Sequence, residues 1–120
     1  MTGFRRGDVV LVNFVFADES GIKRRPAVVV SSDAYHRSRQ ETILAGVTSR
    51  TDRLLVGDHL LRDWEAEGLL LPSVATGVVR TVKQSMIARR LGGLSGEDMG
   101  AVEENLRIAL GLPEKEGNGA

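Results

Sequence analysis

Short runs rich in Val, Ile and Thr, bounded by Gly, Pro, Asn, Asp or Ser, fill most of the first ninety residues. That pattern constrains the fold more than any other feature of the chain, because it reads as several short strands joined by turns. The first run, DVVLVNFVF over Asp8–Phe16, places Val10, Val12, Phe14 and Phe16 at alternate positions that can line one sheet face. Residues 17–25 (ADESGIKRR) break it with Asp, Ser and Gly. Nine residues is long for a hairpin connection, and such loops are often functional. A second strand is expected over 26–32 (PAVVVSS), with Pro26 tolerated as its first residue because Pro has no N–H to give a ladder. Residues 33–41 read as a polar loop with some helical turn, 42–48 (TILAGVT) as a third strand, and 49–53 as a polar connection.

The apolar stretch 54–61 is interrupted by Gly57-Asp58, consistent with a strand carrying a turn or bulge. Residues 63–68 read as a turn or short helix ended by Gly. Two more strands are expected at 69–74 and 78–82, split by Ala75-Thr76-Gly77, and a helical turn at 84–90. One helix is clear. Ser95 with Asp98 resembles a capping box, and Met99, Val102, Leu106, Ala109 and Leu110 then fall on one helical face. Gly111 and Pro113 end it. The acids Glu97 and Asp98 sit where the helix dipole favours them.

The expected fold is α+β and mainly β: a small barrel with a C-terminal amphipathic helix over one opening or edge. With 120 residues, 42% of them hydrophobic, the chain suffices for one domain, expected over 1–112, with a flexible tail at 113–120. There is no internal repeat. The absence of Cys excludes disulfides, thiolate nucleophiles and thiolate zinc sites. Apolar runs no longer than four residues build no transmembrane helix, and the N-terminus lacks the apolar region of a secretory signal. No membrane association and a cytoplasmic location are therefore expected.

Charge is unevenly spread. Residues 1–96 carry 14 Lys/Arg against 10 Asp/Glu, whereas residues 97–120 carry 2 against 6. A basic body fits either an anionic partner such as nucleic acid or an ordinary mixed surface. His36 and His59 lie 23 residues apart, outside metal-ligand spacing, so neither a metal nor a cofactor is expected. There is no nucleophile elbow and no P-loop. Gly92-Gly93 beside Arg89-Arg90 is a turn and only a weak phosphate-binding hint.

Two places carry more chemistry. Lys23-Arg24-Arg25-Pro26 puts three cations at a strand entry, where Pro biases Arg25 toward an extended backbone. A guanidinium held there is a good phosphate clamp; a solvated basic loop is the plainer reading. Thr48-Ser49-Arg50 offers two hydroxyls and a cation at the end of the third strand, or simply turn chemistry. Together they fit RNA phosphodiester chemistry, in which a 2′-hydroxyl attacks its neighbouring phosphate. Arg and a hydroxyl donor can stabilise the resulting dianionic phosphorane. Arg, always protonated near neutral pH, is a poor general base for the same step.

In this order, the segments resemble the MazF/PemK toxins of bacterial toxin–antitoxin systems. The resemblance runs from RGDVVLVNF at 6–14 through DESG at 18–21, KRRPAVVVS at 23–31 and ILAGVTS at 43–49. It continues through DWEAEGLLLPS at 63–73 and the stretch 80–95, covering roughly residues 5–96. It implies an SH3-like β-barrel working as a homodimer. It also implies a metal-independent, sequence-specific endoribonuclease that cuts single-stranded RNA, including mRNA, to 2′,3′-cyclic phosphate and 5′-hydroxyl ends. A cognate antitoxin would block the RNA groove, and DNA would be bound only through it. The catalytic pair carries over onto Arg25, which would neutralise the phosphorane, and Thr48, which would hydrogen-bond a non-bridging oxygen. Ser20, Lys23, Arg24 and Ser49 are the expected RNA-binding residues, with the loop before Arg25 covering the substrate. The chain departs from the family in having Phe14-Val15-Phe16 where Phe-Pro-Phe is common, and a short uncharged Ala75-Thr76-Gly77. Two other readings stand beside this one: a toxin of the same fold that poisons DNA gyrase, and a non-catalytic SH3-like RNA- or protein-binding module. Phe14 and Phe16 are expected in the core, and Trp64 in the core or an interface, rather than as base-stacking platforms.

Overall fold

The computed structural model describes residues 3–16 and 21–114. Its strands are β1 (Asp8–Phe16), β2 (Gly21–Val29), β3 (Glu41–Thr48), β4 (His59–Leu60), β5 (Val74–Lys83) and β6 (Ile87–Gly93). Helix α1 (Asp33–Ser38) links β2 to β3, and α2 (Gly96–Ala109) follows β6. The six strands form one sheet in the order β4-β5-β3-β2-β1-β6, antiparallel at every pairing. The sheet curls into a half-barrel, with α2 as the C-terminal helix.

Both faces of β1 are buried, which is why its run of apolar residues is nearly continuous. Val9 packs with Val28, Val47, Leu61, Leu69, Ala75 and Val102 of α2. Val10 and Val12 point the other way, onto Ala27, Val29, Leu44, Val82 and Ile87, with Phe14 half-buried against them. Trp64 is half-buried against the first cluster. Each valine removed from water contributes about 1.5–3 kcal/mol, so these two clusters on opposite faces pin the register of β1.

Four expectations from the sequence need correction. The second strand begins at Gly21, not Pro26, so Lys23, Arg24 and Arg25 lie on β2 opposite Phe14, Asn13 and Val12. Pro26 is thus mid-strand. It is tolerated there because β3 takes up its pairing only at Ala27. Residues 69–73 are not strand, and the two segments expected around Ala75-Thr76-Gly77 are one continuous strand, β5. A register shift opposite Ala45 and Val47 absorbs the irregularity instead of breaking the strand. The stretch 54–61 is strand only at His59–Leu60. Finally, 84–90 is a single 3₁₀ turn at Gln84–Met86 followed by β6, whose alternating pattern is hidden by Arg89 and Arg90.

Strands β4 and β6 stand at opposite edges of the sheet. The loop after β4 spans the gap by backbone-to-backbone packing. A Cβ on Gly68, which has φ +94°, would lie 2.2 Å from the Leu91 carbonyl oxygen, and one on Gly92 would lie 2.3 Å from the Glu67 carbonyl oxygen. Only two glycines facing one another permit that approach.

Helix α2 is capped as expected at Ser95, whose Oγ accepts the Asp98 N–H at 3.1 Å. The reciprocal half of the capping box differs from expectation. Asp98 turns inward, and Glu67 Oε2 from the β4–β5 loop accepts the Ser95 N–H at 2.8 Å. Of the predicted apolar face, Val102 is buried and Met99 and Leu106 are half-buried, while Ala109 and Leu110 are exposed.

Candidate active site

A groove of about 1000 Å³ opens across the curled sheet. Its floor is apolar and comes from three neighbouring strands: Leu11, Pro26, Ala27, Leu44 and Gly46. Period-two alternation explains which side chains reach it. On β3 these are Leu44, Gly46 and Thr48, joined by Val47 beside the register shift; on β5 they are Thr76, Val78 and Arg80. One wall is the 68–71 segment that the Gly68–Gly92 contact holds in place.

Arg25 and Thr48, far apart in sequence, both line this groove, together with Ser49. Arg25 is exposed and has no hydrogen bond or ion pair among the described residues. Thr48 Oγ1 accepts the Arg50 N–H at 3.2 Å. The turn chemistry foreseen for this hydroxyl is therefore real, and it leaves the donor proton for another acceptor. Lys23 and Arg24 are exposed on β2 and do not line the groove; Arg24 Nε donates to Asn13 Oδ1 at 3.1 Å. Ser20 lies outside the described residues.

The groove also holds two further cations: Arg80, which sequence reasoning did not select, and Arg89, which it noted only as part of a weak phosphate-binding hint. Splitting β5 at residues 75–77 concealed the alternation through Thr76, Val78 and Arg80 that would have exposed the first. Reading 84–90 as helical turn concealed the second. The Arg80 guanidinium stacks 4.7 Å from the centre of the Phe14 ring, so Phe14 packs on the core and also supports a groove cation. Among the described residues, no Asp or Glu lines the groove. Arg90, next to Arg89, is by contrast neutralised by Asp8 at 2.9 Å. Three unneutralised guanidiniums over an apolar floor make a site for a polyanion.

Elsewhere, Asp63, Glu67 and Asp98 bring three carboxylates within 4.8 Å at the start of α2. Asp98 accepts from His59 Nε2 at 2.8 Å and from the Arg62 and Asp63 N–H groups at 3.1 Å. Burial raises the Asp98 pKa, but bonds from Glu67, His59 and these backbone groups outweigh it and lower the value to about 2. Burial, with the neighbouring Asp98, raises Glu67 to about 7 against the opposing Ser95 N–H. This cluster anchors the helix to the β4–β5 loop. His36 is likewise structural, buried with Nε2 2.6 Å from Ser31 Oγ.

Comparison with known proteins agrees with this geometry. The chain is 27% identical over 112 residues to "Endoribonuclease EndoA" of Bacillus subtilis (strain 168), covering 90% of this chain and 95% of that protein. Its fold matches an endoribonuclease solved with its cognate antitoxin from a mycobacterial species, with TM-score 0.74 and 21% identity over 94% of this chain and 100% of that one. It also matches a MazE-MazF structure from Deinococcus radiodurans, with TM-score 0.73 and 22% identity over 94% of this chain and 100% of that one. A family model described as "PemK-like, MazF-like toxin of type II toxin-antitoxin system" matches residues 5–110, nearly the whole described chain. With the family model spanning nearly all of it and its fold in agreement, the chain belongs to the PemK-like, MazF-like toxin family of type II toxin–antitoxin systems.

Proposed function

We propose that the chain is the toxin of a type II toxin–antitoxin system, acting as a metal-independent endoribonuclease on single-stranded RNA. The observation that carries this reading is that Arg25 and Thr48 line one groove, in which the described residues include no carboxylate. The relative named as an endoribonuclease supports the same class of activity.

RNA laid across the groove would present one phosphate to both side chains. The 2′-oxygen attacks phosphorus, so an O2′–P bond forms and the P–O5′ bond breaks. The 2′-hydroxyl proton is released to a base, and the departing 5′-oxygen takes up a proton. The products are a 2′,3′-cyclic phosphate and a 5′-hydroxyl. Between them lies a phosphorane with two negative charges. Arg25 faces that charge permanently ionised, and the Thr48 hydroxyl donates to a non-bridging oxygen. Because the Arg50 N–H already occupies an acceptor position on Thr48 Oγ1, the hydroxyl is oriented before substrate arrives. Ser49 lines the groove beside Thr48 and is placed to orient the strand.

The protein is also proposed to be a cytoplasmic homodimer held in check by an antitoxin. An exposed apolar shelf supports a protein partner: Leu54, Leu55 and Val56 before Gly57, and Ile108, Leu110 and Leu112 around Ala109. A Cβ on Gly57 would lie 3.2 Å from the Ala109 Cβ, so the two segments adjoin. Among the described residues no helix is long and apolar enough to cross a membrane.

The test is cleavage of a long, varied single-stranded RNA in EDTA, with the cut ends mapped. Discrete cuts with 5′-hydroxyl ends, absent with Arg25→Ala, are expected. Intact RNA with folded, antitoxin-free protein would overturn the reading.

A further inference from the structure

We propose that Arg80 and Arg89 are positioning residues that grip the phosphates flanking the scissile one, so the groove holds the RNA backbone at three points. This rests on the endoribonuclease reading above and adds to it two side chains outside the Arg25–Thr48 pair.

Three observations carry the assignment. First, Arg25, Arg80 and Arg89 come from three different strands, β2, β5 and β6, and converge on one groove that, among the described residues, no carboxylate lines. Six other described arginines do find a carboxylate within 4 Å, at positions 6, 39, 50, 62, 90 and 107. Six of the ten described arginines outside the groove are thus paired, and among the described residues none of the three inside it is. Like charges gathered without counterions repel one another, and an anionic ligand relieves that repulsion.

Second, each guanidinium is set up differently from a free surface arginine. Arg80 lies over the Phe14 ring, a cation–π contact that restrains the side chain and reduces the freedom it loses on binding. Arg89 stands in register with Leu11, and Leu11 with Pro26, so one row runs across β6, β1 and β2. Two strand spacings, about 10 Å, then separate the backbones of Arg89 and Pro26, the neighbour of Arg25. An extended strand lying along that row would bring different phosphates to the two cations.

Third, the division of surface suits backbone recognition. The apolar floor can take riboses and base faces, and the exposed Ser49 hydroxyl can meet a base edge. The permanently charged forks at the margins match phosphate, which they can bind bidentately. Backbone contacts of this kind hold the strand in place and carry no sequence information.

The experiment compares wild type with R80A, R89A, R80K and R89K. Steady-state kcat and KM are measured on a cleavable RNA. Affinity for the same RNA with a 2′-deoxy residue at the cut site is measured across a salt series. Thermal melts check folding, and the lysine variants keep the charge should an alanine variant fail to fold. Each alanine is expected to raise KM and Kd about tenfold, leave kcat within about threefold, and lower the salt slope by about 0.7, as for one phosphate contact on single-stranded nucleic acid. Lysine should restore most of the affinity, and the cleavage motif should not change.

Unchanged KM, Kd and slope would overturn the proposal. So would loss of kcat alone, which would put the arginine on the reacting phosphate, or an altered motif at constant slope, which would make it a base reader. Absence of cleavage by wild type would overturn the endoribonuclease reading instead. Binding of the deoxy-substituted RNA would still decide whether Arg80 and Arg89 clamp phosphate.

Discussion

Glu67 and Asp98 bury their carboxyl groups together at the start of α2, at 1% and 0% exposure, although 31 positions separate them in sequence. Every nearby donor serves an oxygen of this pair. His59 and the Arg62 and Asp63 N–H groups serve Asp98, and the Ser95 N–H serves Glu67 Oε2. Glu67 Oε1 has no donor, so a proton on Glu67, shared toward Asp98, completes the arrangement.

That proton makes stability depend on pH. Glu67 titrates near 7 in the fold against 4.5 ordinarily, so between those values the folded state holds more proton than the unfolded one. Stability contributed by Glu67 is complete below about pH 4.5 and is lost as pH rises through about 7. Asp98 works in the opposite sense. Its value of about 2 against 3.8 means that its contribution is present above pH 3.8 and is lost as pH falls toward 2. Urea denaturation of wild type across pH 4–9 should show a decline of up to about 3 kcal/mol centred between 4.5 and 7. Glu67→Gln keeps an acceptor for the Ser95 N–H and a donor for Asp98, so it should flatten that decline. An equally steep decline in Glu67→Gln would place the dependence elsewhere.

Gly68→Ala and Gly92→Ala should each destabilise by about 3 kcal/mol or more, because the new Cβ meets a backbone carbonyl that cannot step aside. Gly96→Ala, with nothing within 4 Å of its Cβ, is the control and should change stability by less than about 1 kcal/mol. Thermal or urea melts of the three variants decide this.

Thr48→Ala removes one hydroxyl whose structural duty is a single hydrogen bond to the Arg50 N–H. It should cost about 1 kcal/mol of stability or less. Removal of an oriented donor to a developing oxyanion typically lowers kcat by about 10²–10³. RNA cleavage should therefore collapse in a protein that still melts like wild type. Near-normal cleavage would remove Thr48 from the site.

Arg25→Ala should abolish cleavage with little effect on folding, since the side chain is exposed and has no partner among the described residues. A circular dichroism melt beside the cleavage assay separates the two effects. A variant that fails to fold would show that Arg25 supports β2 instead.

How far the chain could be read in advance differs from place to place. β1 was legible because its Val-rich alternation agrees with its burial, and α2 because cap, apolar face and terminators follow one another between Ser95 and Pro113. Arg25 and Thr48 were found through motif order, not through any local signal. Arg80 escaped, and Arg89 gave only a weak phosphate-binding hint, because an exposed arginine in a strand looks the same whether it faces open solvent or a groove. The partner of the Ser95 cap escaped for a related reason. Asp98 has the right spacing, but a nearby apolar core and three other donors drew it inward, and Glu67 took its place.

By itself the sequence determined which segments could be strands, where the one long helix starts and stops, and that its motifs follow the order of the PemK-like, MazF-like toxins. These follow from local chemistry: side-chain alternation, capping, and the backbone restrictions of Gly and Pro. Only the tertiary structure decided which arginines share a groove, that the β4–β5 loop bridges toward β6 through Gly68 and Gly92, and that Glu67 and Asp98 meet. Those outcomes depend on how a twisted sheet curls and which strands become neighbours. They join residues through long-range packing and a shared solvent-excluded environment, neither of which local sequence spacing records.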